Sequence, residues 1–201
     1  MGQMHVQLAM EMKDGPKRII ASDVDPVRLS ALKEFTNHIA EEKGLELILF
    51  NPMESKQNLR DYILEINDGQ LADDVVVCVP SGPLMADSYH LLGPNGMFVL
   101  FAGVQVGTTI NVEINDIFLN NLQLTGTSGS TLDDQRLVIE RTVDGELSPI
   151  LSVAAVGGMD AAVNGLDAMM TGKYAGKVLI FPQIAHFPLT GLNELADNYP
   201  E

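Results

Sequence analysis

The sequence predicts an α/β protein built around a parallel sheet, and three observations point there. Short β-branched or apolar runs alternate with longer segments of helical period along most of the chain, the pattern of strand–helix–strand units. Two of the runs, DVVVCV at 74–79 and MFVLFA at 97–102, are apolar at consecutive rather than alternate positions, as strands covered on both faces are. Glycine, proline and aspartate mark the junctions, as in Asp25-Pro26, Pro80-Ser81-Gly82 and Gly93-Pro94-Asn95-Gly96, where helices begin and chains turn.

Taken in order, residues 2–13 read as a helix with Met4, Leu8 and Met12 on its buried face and Gly15-Pro16 as its stop, and nothing strand-like precedes it. RIIASD at 18–23 is a short buried strand ending in an acid. Asp25-Pro26 caps the next helix, which runs to about Lys43 and stops at Gly44, since aspartate accepts the free amides of a first turn and glycine adopts the left-handed exit. ELILF at 46–50 is a strand, 55–66 an amphipathic helix, and 74–79 a strand expected to lie inside the sheet. A helix over 83–92, a turn at 93–96 and a central strand at 97–102 follow. The pattern loosens over 104–121, resumes as a strand at 122–125, and passes through a small polar run into a helix at 132–143. Residues 158–170 have helical spacing, 177–181 form a last strand, and in the tail Leu189, Leu192 and Leu195 share one short periodicity.

The 201 residues suffice for one well-filled core. With 12 basic against 27 acidic side chains, the surface is a poor partner for nucleic acid or anionic membrane, whose binding rests on Lys and Arg neutralising phosphate. No stretch reaches the roughly 20 apolar residues a bilayer requires, and the first residues lack a signal-peptide layout, so the expected location is the cytoplasm. The one cysteine, Cys78, excludes an internal disulfide and any multi-cysteine zinc site built from this chain alone. It sits in an all-apolar run and reads as a small core hydrophobe. His5, His38, His90 and His186 are scattered without metal-ligand spacing and read as surface or capping residues. Met10, Met12, Met169 and Met170 read as core filler.

Four local features carry a resemblance to a known family. Met1-Gly2-Gln3-Met4 looks like the end of a glycine-rich G-x-G-P-x-G turn; Asp23 stands at a strand tip about 20 residues further on, with Arg28 five residues beyond it; Pro80-Ser81, Ala102-Gly103 and Thr125-Gly126 follow successive strands; and GKYAGKVLIF at 172–181 is similar to a closing glycine-loop-and-strand signature. On these the chain resembles the zinc-dependent medium-chain alcohol and polyol dehydrogenases, in their sorbitol dehydrogenase and L-sorbose-1-phosphate reductase flavour.

The resemblance implies a Rossmann-like, doubly wound parallel sheet lacking its first strand, with a dinucleotide-binding domain over 1–182 and a tail over 183–201. It implies NAD as cofactor. Gly2 and Gln3 would close the phosphate loop, Asp23 would accept the adenosine ribose hydroxyls and oppose a 2′-phosphate, and Arg28 would stack on the adenine. Pro80, Ser81, Ala102, Gly103, Thr125 and Gly126 would line the nicotinamide side, since ligands of open α/β sheets sit beyond the carboxyl ends of strands. The family's zinc ligands and structural-zinc cysteines have no counterparts here, so neither a catalytic residue nor a metal ligand is assigned. The implied parent is an oxidoreductase moving a hydride between NAD(H) and a polyol, secondary alcohol or sugar phosphate, with Met1 an internal methionine of a longer enzyme. The implied assembly is a homodimer through the 119–125 edge, where Leu119, Leu122 and Leu124 are apolar.

Plainer readings stand beside these. Asp23 also suits a helix-capping or strand-ending acid, Arg28 a solvated helix charge, and Lys173 and Lys177 solvated loop lysines rather than phosphate ligands. The rival function is a non-catalytic chain, a truncated remnant or a dimerisation module with no activity of its own.

Overall fold

The computed structural model describes residues 1–199, except the side chain of Ala196. Its described part forms two compact units: a middle unit of Phe50–Gln135 with Met1, and a flanking unit of Gly2–Leu49 with the residues from Arg136 onward. Both are α/β.

In the flanking unit the first helix, α1 (Gly2–Glu11), leads to strand β1 (Arg18–Ser22), helix α2 (Pro26–Lys43) and strand β2 (Glu46–Phe50). β1 and β2 pair in a two-stranded sheet and begin side by side, the Glu46 N–H donating to the Lys17 carbonyl at 2.9 Å. The cap of α2 forms as expected: the Asp25 side chain accepts the Val27 N–H, and Gly44 ends the helix at φ 62°. Leu29, Leu32, Thr36, Ile39 and Ala40 make its buried face, the three-and-four spacing of an amphipathic helix. The buried face of α1 is not Met4, Leu8 and Met12, which are exposed; Gln7 and Met10 are buried instead. Successive side chains on a helix point about 100° apart, so two lines compete for the interior. Met10 wins by packing on Ile39 and Ala40, while Gln7 Nε2 donates to the Ser148 carbonyl at 3.0 Å.

The same unit holds a sheet of three further strands, its middle one first in sequence. Strand β6 (Val153–Gly158) runs parallel to β7 (Lys177–Phe181) and antiparallel to β8 (Thr190–Gly191). Helix α7 (Ala162–Thr171) lies between β6 and β7 in sequence and ends at Gly172, φ 67°. Its Gly165 allows close approach, since a methyl there would come within 3.3 Å of Val178. The residues before β8 bind the end of β6, with the Gly158, Met159 and Asp160 N–H groups donating to the Phe187, Ile184 and Ala185 carbonyls. Helix α8 (Leu192–Asn198) follows. Met12, Met169 and Met170 are exposed, so of the four methionines read as core only Met10 is core.

In the middle unit three parallel strands, β3 (Ala72–Val77), β4 (Leu92–Leu100) and β5 (Gln123–Thr125), stand in that order. Helix α3 (Leu59–Ile66) precedes them, α4 (Gly82–Tyr89) and α5 (Ile114–Leu119) intervene, and α6 (Leu132–Val143) follows β5 in sequence. α3 starts later than expected because Asn58 supplies the cap, accepting the Asp61 N–H. The core gathers Val77, Met85, Tyr89, Leu92, Phe98 and Leu122, with the Tyr89 and Phe98 rings edge-to-face at 5.9 Å. The expected turn at 93–96 is a bulge inside β4, where the register shifts opposite Ala72–Asp74 and Asn95 takes φ 65°.

β3 does not lie inside its sheet: among the described residues it is an edge, paired only with β4, and Val76 remains 39% exposed. Its apolar sequence satisfies one neighbour and leaves the other edge open. Cys78 is accordingly only half-buried, and burial pushes its thiol pKa up, as for an unreactive thiol.

Candidate functional site

Parallel register brings the carboxyl ends of the middle unit's strands together. Val77 pairs with Leu100, and Val99 with Thr125, so the residues after each strand emerge at one end. The Ala102 N–H donates to the Val77 carbonyl at 3.0 Å and fixes the first two exits against each other. Pro80 is exposed and introduces Ser81, the N-cap of α4, whose hydroxyl accepts the Leu84 N–H. Ala102 packs on the core. Gly103 has open space where a side chain would stand, whereas a methyl on Gly126 would lie 2.9 Å from the Leu100 carbonyl oxygen. Pro80, Ser81, Ala102, Gly103, Thr125 and Gly126 therefore form one rim of small groups, with Gly126 required by close backbone approach.

The flanking unit assembles a second cluster at the end of β1. Asp23 Oδ1 accepts the Asp25 N–H at 2.9 Å and Asp25 Oδ1 accepts the Val27 N–H at 2.9 Å, an aspartate turn feeding a helix cap. The plain capping role belongs to Asp25, and Asp23 orients it. A carboxylate has about four acceptor sites, so Asp23 retains capacity. Arg28 lies between both acids, 3.8 Å from Asp23 and 3.4 Å from Asp25. Gly172 borders it, a methyl there reaching within 3.5 Å of the guanidinium. The sequence reading gave Arg28 to the adenine or to solvent and Asp25 to the helix cap, and it missed the contact between them; the signal was present, as residues three apart on a helix are neighbours.

Among the described residues no hydrogen bond joins Gly2 or Gln3 to this cluster. Gly2 opens α1, and the Gln3 amide nitrogen is buried without a partner, in a small crevice with Gln7, Thr36 and Ser152. Lys173 lies over the Tyr174 ring at 5.1 Å. His90 caps α4, and His186 lies 2.7 Å from Asp160 on the surface.

Whether these residues suit the groups implied by the resemblance is a matter of donor chemistry. The small strand-end residues of the middle unit suit a dinucleotide's ring edge, and in the flanking unit a partly exposed carboxylate beside a guanidinium suits its ribose. Zinc is different: among the described residues no group of three or more His, Cys, Asp or Glu side chains could hold a metal ion, and no step through zinc follows from them.

The family model described as zinc-binding dehydrogenase matches residues 1–144. The chain belongs to the zinc-binding dehydrogenase family. Among curated relatives, mannitol-1-phosphate 5-dehydrogenase of Aliivibrio fischeri is 31% identical over 188 residues, covering 90% of this chain and 43% of its own length. L-sorbose 1-phosphate reductase of Klebsiella pneumoniae is 28% identical over 200 residues, 98% of this chain and 46% of the relative. This dehydrogenase-family chain thus spans somewhat less than half the length of the curated relatives it matches. Among solved structures, a short chain alcohol dehydrogenase of E. coli CFT073 complexed with cofactor NADH superposes with a TM-score of 0.62 at 16% identity, covering 93% of this chain and 48% of that one. The family match and this likeness bear out the α/β, Rossmann-like class. No described helix is long and apolar enough to cross a membrane.

Proposed function

We propose that this chain is the NAD(H)-holding part of a dehydrogenase or reductase acting on a polyol, secondary alcohol or sugar phosphate. The observation that carries the cofactor choice is the cluster of two carboxylates and one guanidinium at the end of β1, a local excess of one negative charge. Asp23 accepts the ribose hydroxyls with its spare lone pairs, and a 2′-phosphate meets two acids that already engage the neighbouring Arg28. Arg28, braced between those acids, offers its guanidinium plane to the adenine. Gly2 and Gln3 stand at the start of α1, whose N-terminal amides suit a phosphate.

In the middle unit the rim of Pro80, Ser81, Ala102, Gly103, Thr125 and Gly126 accepts the nicotinamide side. Small groups there let backbone amides and carbonyls approach a ring edge and exclude water. NAD(H) supplies the chemistry, a hydride passing between the carbinol carbon and the nicotinamide ring while the hydroxyl proton is lost or gained. The named relatives act on sugar phosphates, which supports that substrate class. We further infer a homodimer through the 119–125 edge, supported by the exposed apolar side chains of Leu119 and Leu124. The same edge supports the second reading, a dimerisation module without activity of its own.

The test is a paired titration of NADH and NADPH by fluorescence. The unaltered chain should favour NADH, and Asp23→Ser should narrow the preference by about tenfold, the effect of a lost charge of about 1.4 kcal/mol. Equal affinities in the unaltered chain would overturn the assignment of Asp23.

A further inference from the structure

At the opposite end of the middle unit's strands from the rim lies a half-open cavity of about 260 Å³. Its apolar floor is Leu71, Leu92 and Leu122, which immediately precede or open the three strands. Arg60 from α3, and Asp116 and Asn120 from α5 and its end, reach its wall. Among the described residues no hydrogen bond or ion pair engages the Arg60 guanidinium, the Asp116 carboxylate or the Asn120 side-chain amide. The wall is held firmly. Asn95 and Asn121 both take positive φ; the Asn121 amide donates to Asn95 Oδ1 at 3.0 Å, and the Asn95 N–H donates to the Asn120 carbonyl at 2.8 Å. Two left-handed asparagines therefore clamp the β4 bulge to the end of α5, so the cavity keeps its shape without a ligand. A concave apolar site with a few convergent, unspent polar groups is the ordinary form of a small-molecule pocket.

The charges select the ligand. A plain anion suits Arg60 and is repelled by Asp116, a plain cation the reverse, and only a molecule carrying both signs satisfies both. The cavity has room for a small molecule, and the leucine floor asks for an aliphatic group. We propose that this cavity binds a free aliphatic α-amino acid, its carboxylate on the Arg60 guanidinium and Asn120 amide, its ammonium on Asp116, and its side chain on Leu71, Leu92 and Leu122. Arginine's fork of donors matches a carboxylate. The site is separate from the rim beyond the strands' carboxyl ends and does not depend on the dinucleotide reading.

The experiment uses the full chain and three probes followed by amide chemical shifts: L-leucine, 4-methylpentanoate, which lacks the ammonium, and 3-methylbutylamine, which lacks the carboxylate. Leucine should bind with a dissociation constant of about 1 mM, ordinary for so small a ligand, shifting the Asn120 and Leu122 amides. Each truncated probe should bind about tenfold more weakly. Arg60→Gln should weaken leucine and 4-methylpentanoate alike, while Asp116→Asn should weaken leucine and leave or improve 4-methylpentanoate. Both residues reach the surface, and an unchanged circular dichroism spectrum checks each variant's fold. No leucine-dependent shift at about 20 mM, well above the expected constant, would overturn the proposal. So would equal affinity for the three probes, or insensitivity to both substitutions.

Discussion

Gly126 and Gly103 both stand in the rim beyond the strand ends, yet substitution should treat them oppositely. A methyl on Gly126 would lie 2.9 Å from the Leu100 carbonyl oxygen, closer than side chains approach, and one on Gly103 would meet nothing within 4 Å. Gly126→Ala must displace the exit of β5 or strain it, at about 1 to 3 kcal/mol by the usual scale of overpacking. Gly103→Ala should fall within about 0.5 kcal/mol of neutral. Urea unfolding followed by circular dichroism separates them: the Gly126 variant should lose midpoint with its slope preserved. Equal midpoints for the two variants would mean that Gly126 is not held by that contact. At this scale the sequence was legible where chemistry is local. Asp25, Pro26 and Gly44 declared the ends of α2 because caps depend on residues a few positions apart. Arg60, Asp116 and Asn120 gave no signal, because what unites them is a cavity formed by the starts of three strands.

Strand β5 is exposed along its whole length. It has three residues at a sheet edge, with Phe118 at 72% and Leu119 at 71% exposed beside it and Leu124 at 38%. An apolar edge of this kind invites pairing, and a two-fold axis through it would extend the parallel sheet of one protomer into its copy. The chain should therefore be a dimer by light scattering, and Leu124→Lys or Leu119→Lys should shift it toward monomer without loss of helical signal. Leu122→Lys should instead unfold the middle unit, since Leu122 is only 8% exposed and belongs to the core. A monomeric unaltered chain would contradict the edge as an interface. Periodicity recovered α2, β2, α6 and β7 with their bounds because their apolar residues follow one period and their ends carry caps or breaks. It passed over β6, whose VAAVGG is too small to register as a strand and is paired only through the remote β7 and β8. It chose the wrong face of α1, because the decision rests on α2 and on the Ser148 carbonyl rather than on α1 itself.

For the whole molecule, the α/β, Rossmann-like class followed from the strand–helix rhythm and from a few family strings. What composition could not convey is that the chain divides into two compact units, with the six rim residues in one and Gly2, Gln3, Asp23 and Arg28 in the other. Each group is proposed to serve NAD(H). The most direct measurement is an amide chemical-shift map of the isotope-labelled chain titrated with NADH. Shifts are expected at Asp23, Asp25 and Arg28 in the flanking unit and at Ser81, Gly103 and Gly126 in the middle unit. Saturable shifts confined to other surfaces, or none at either cluster, would contradict the proposal.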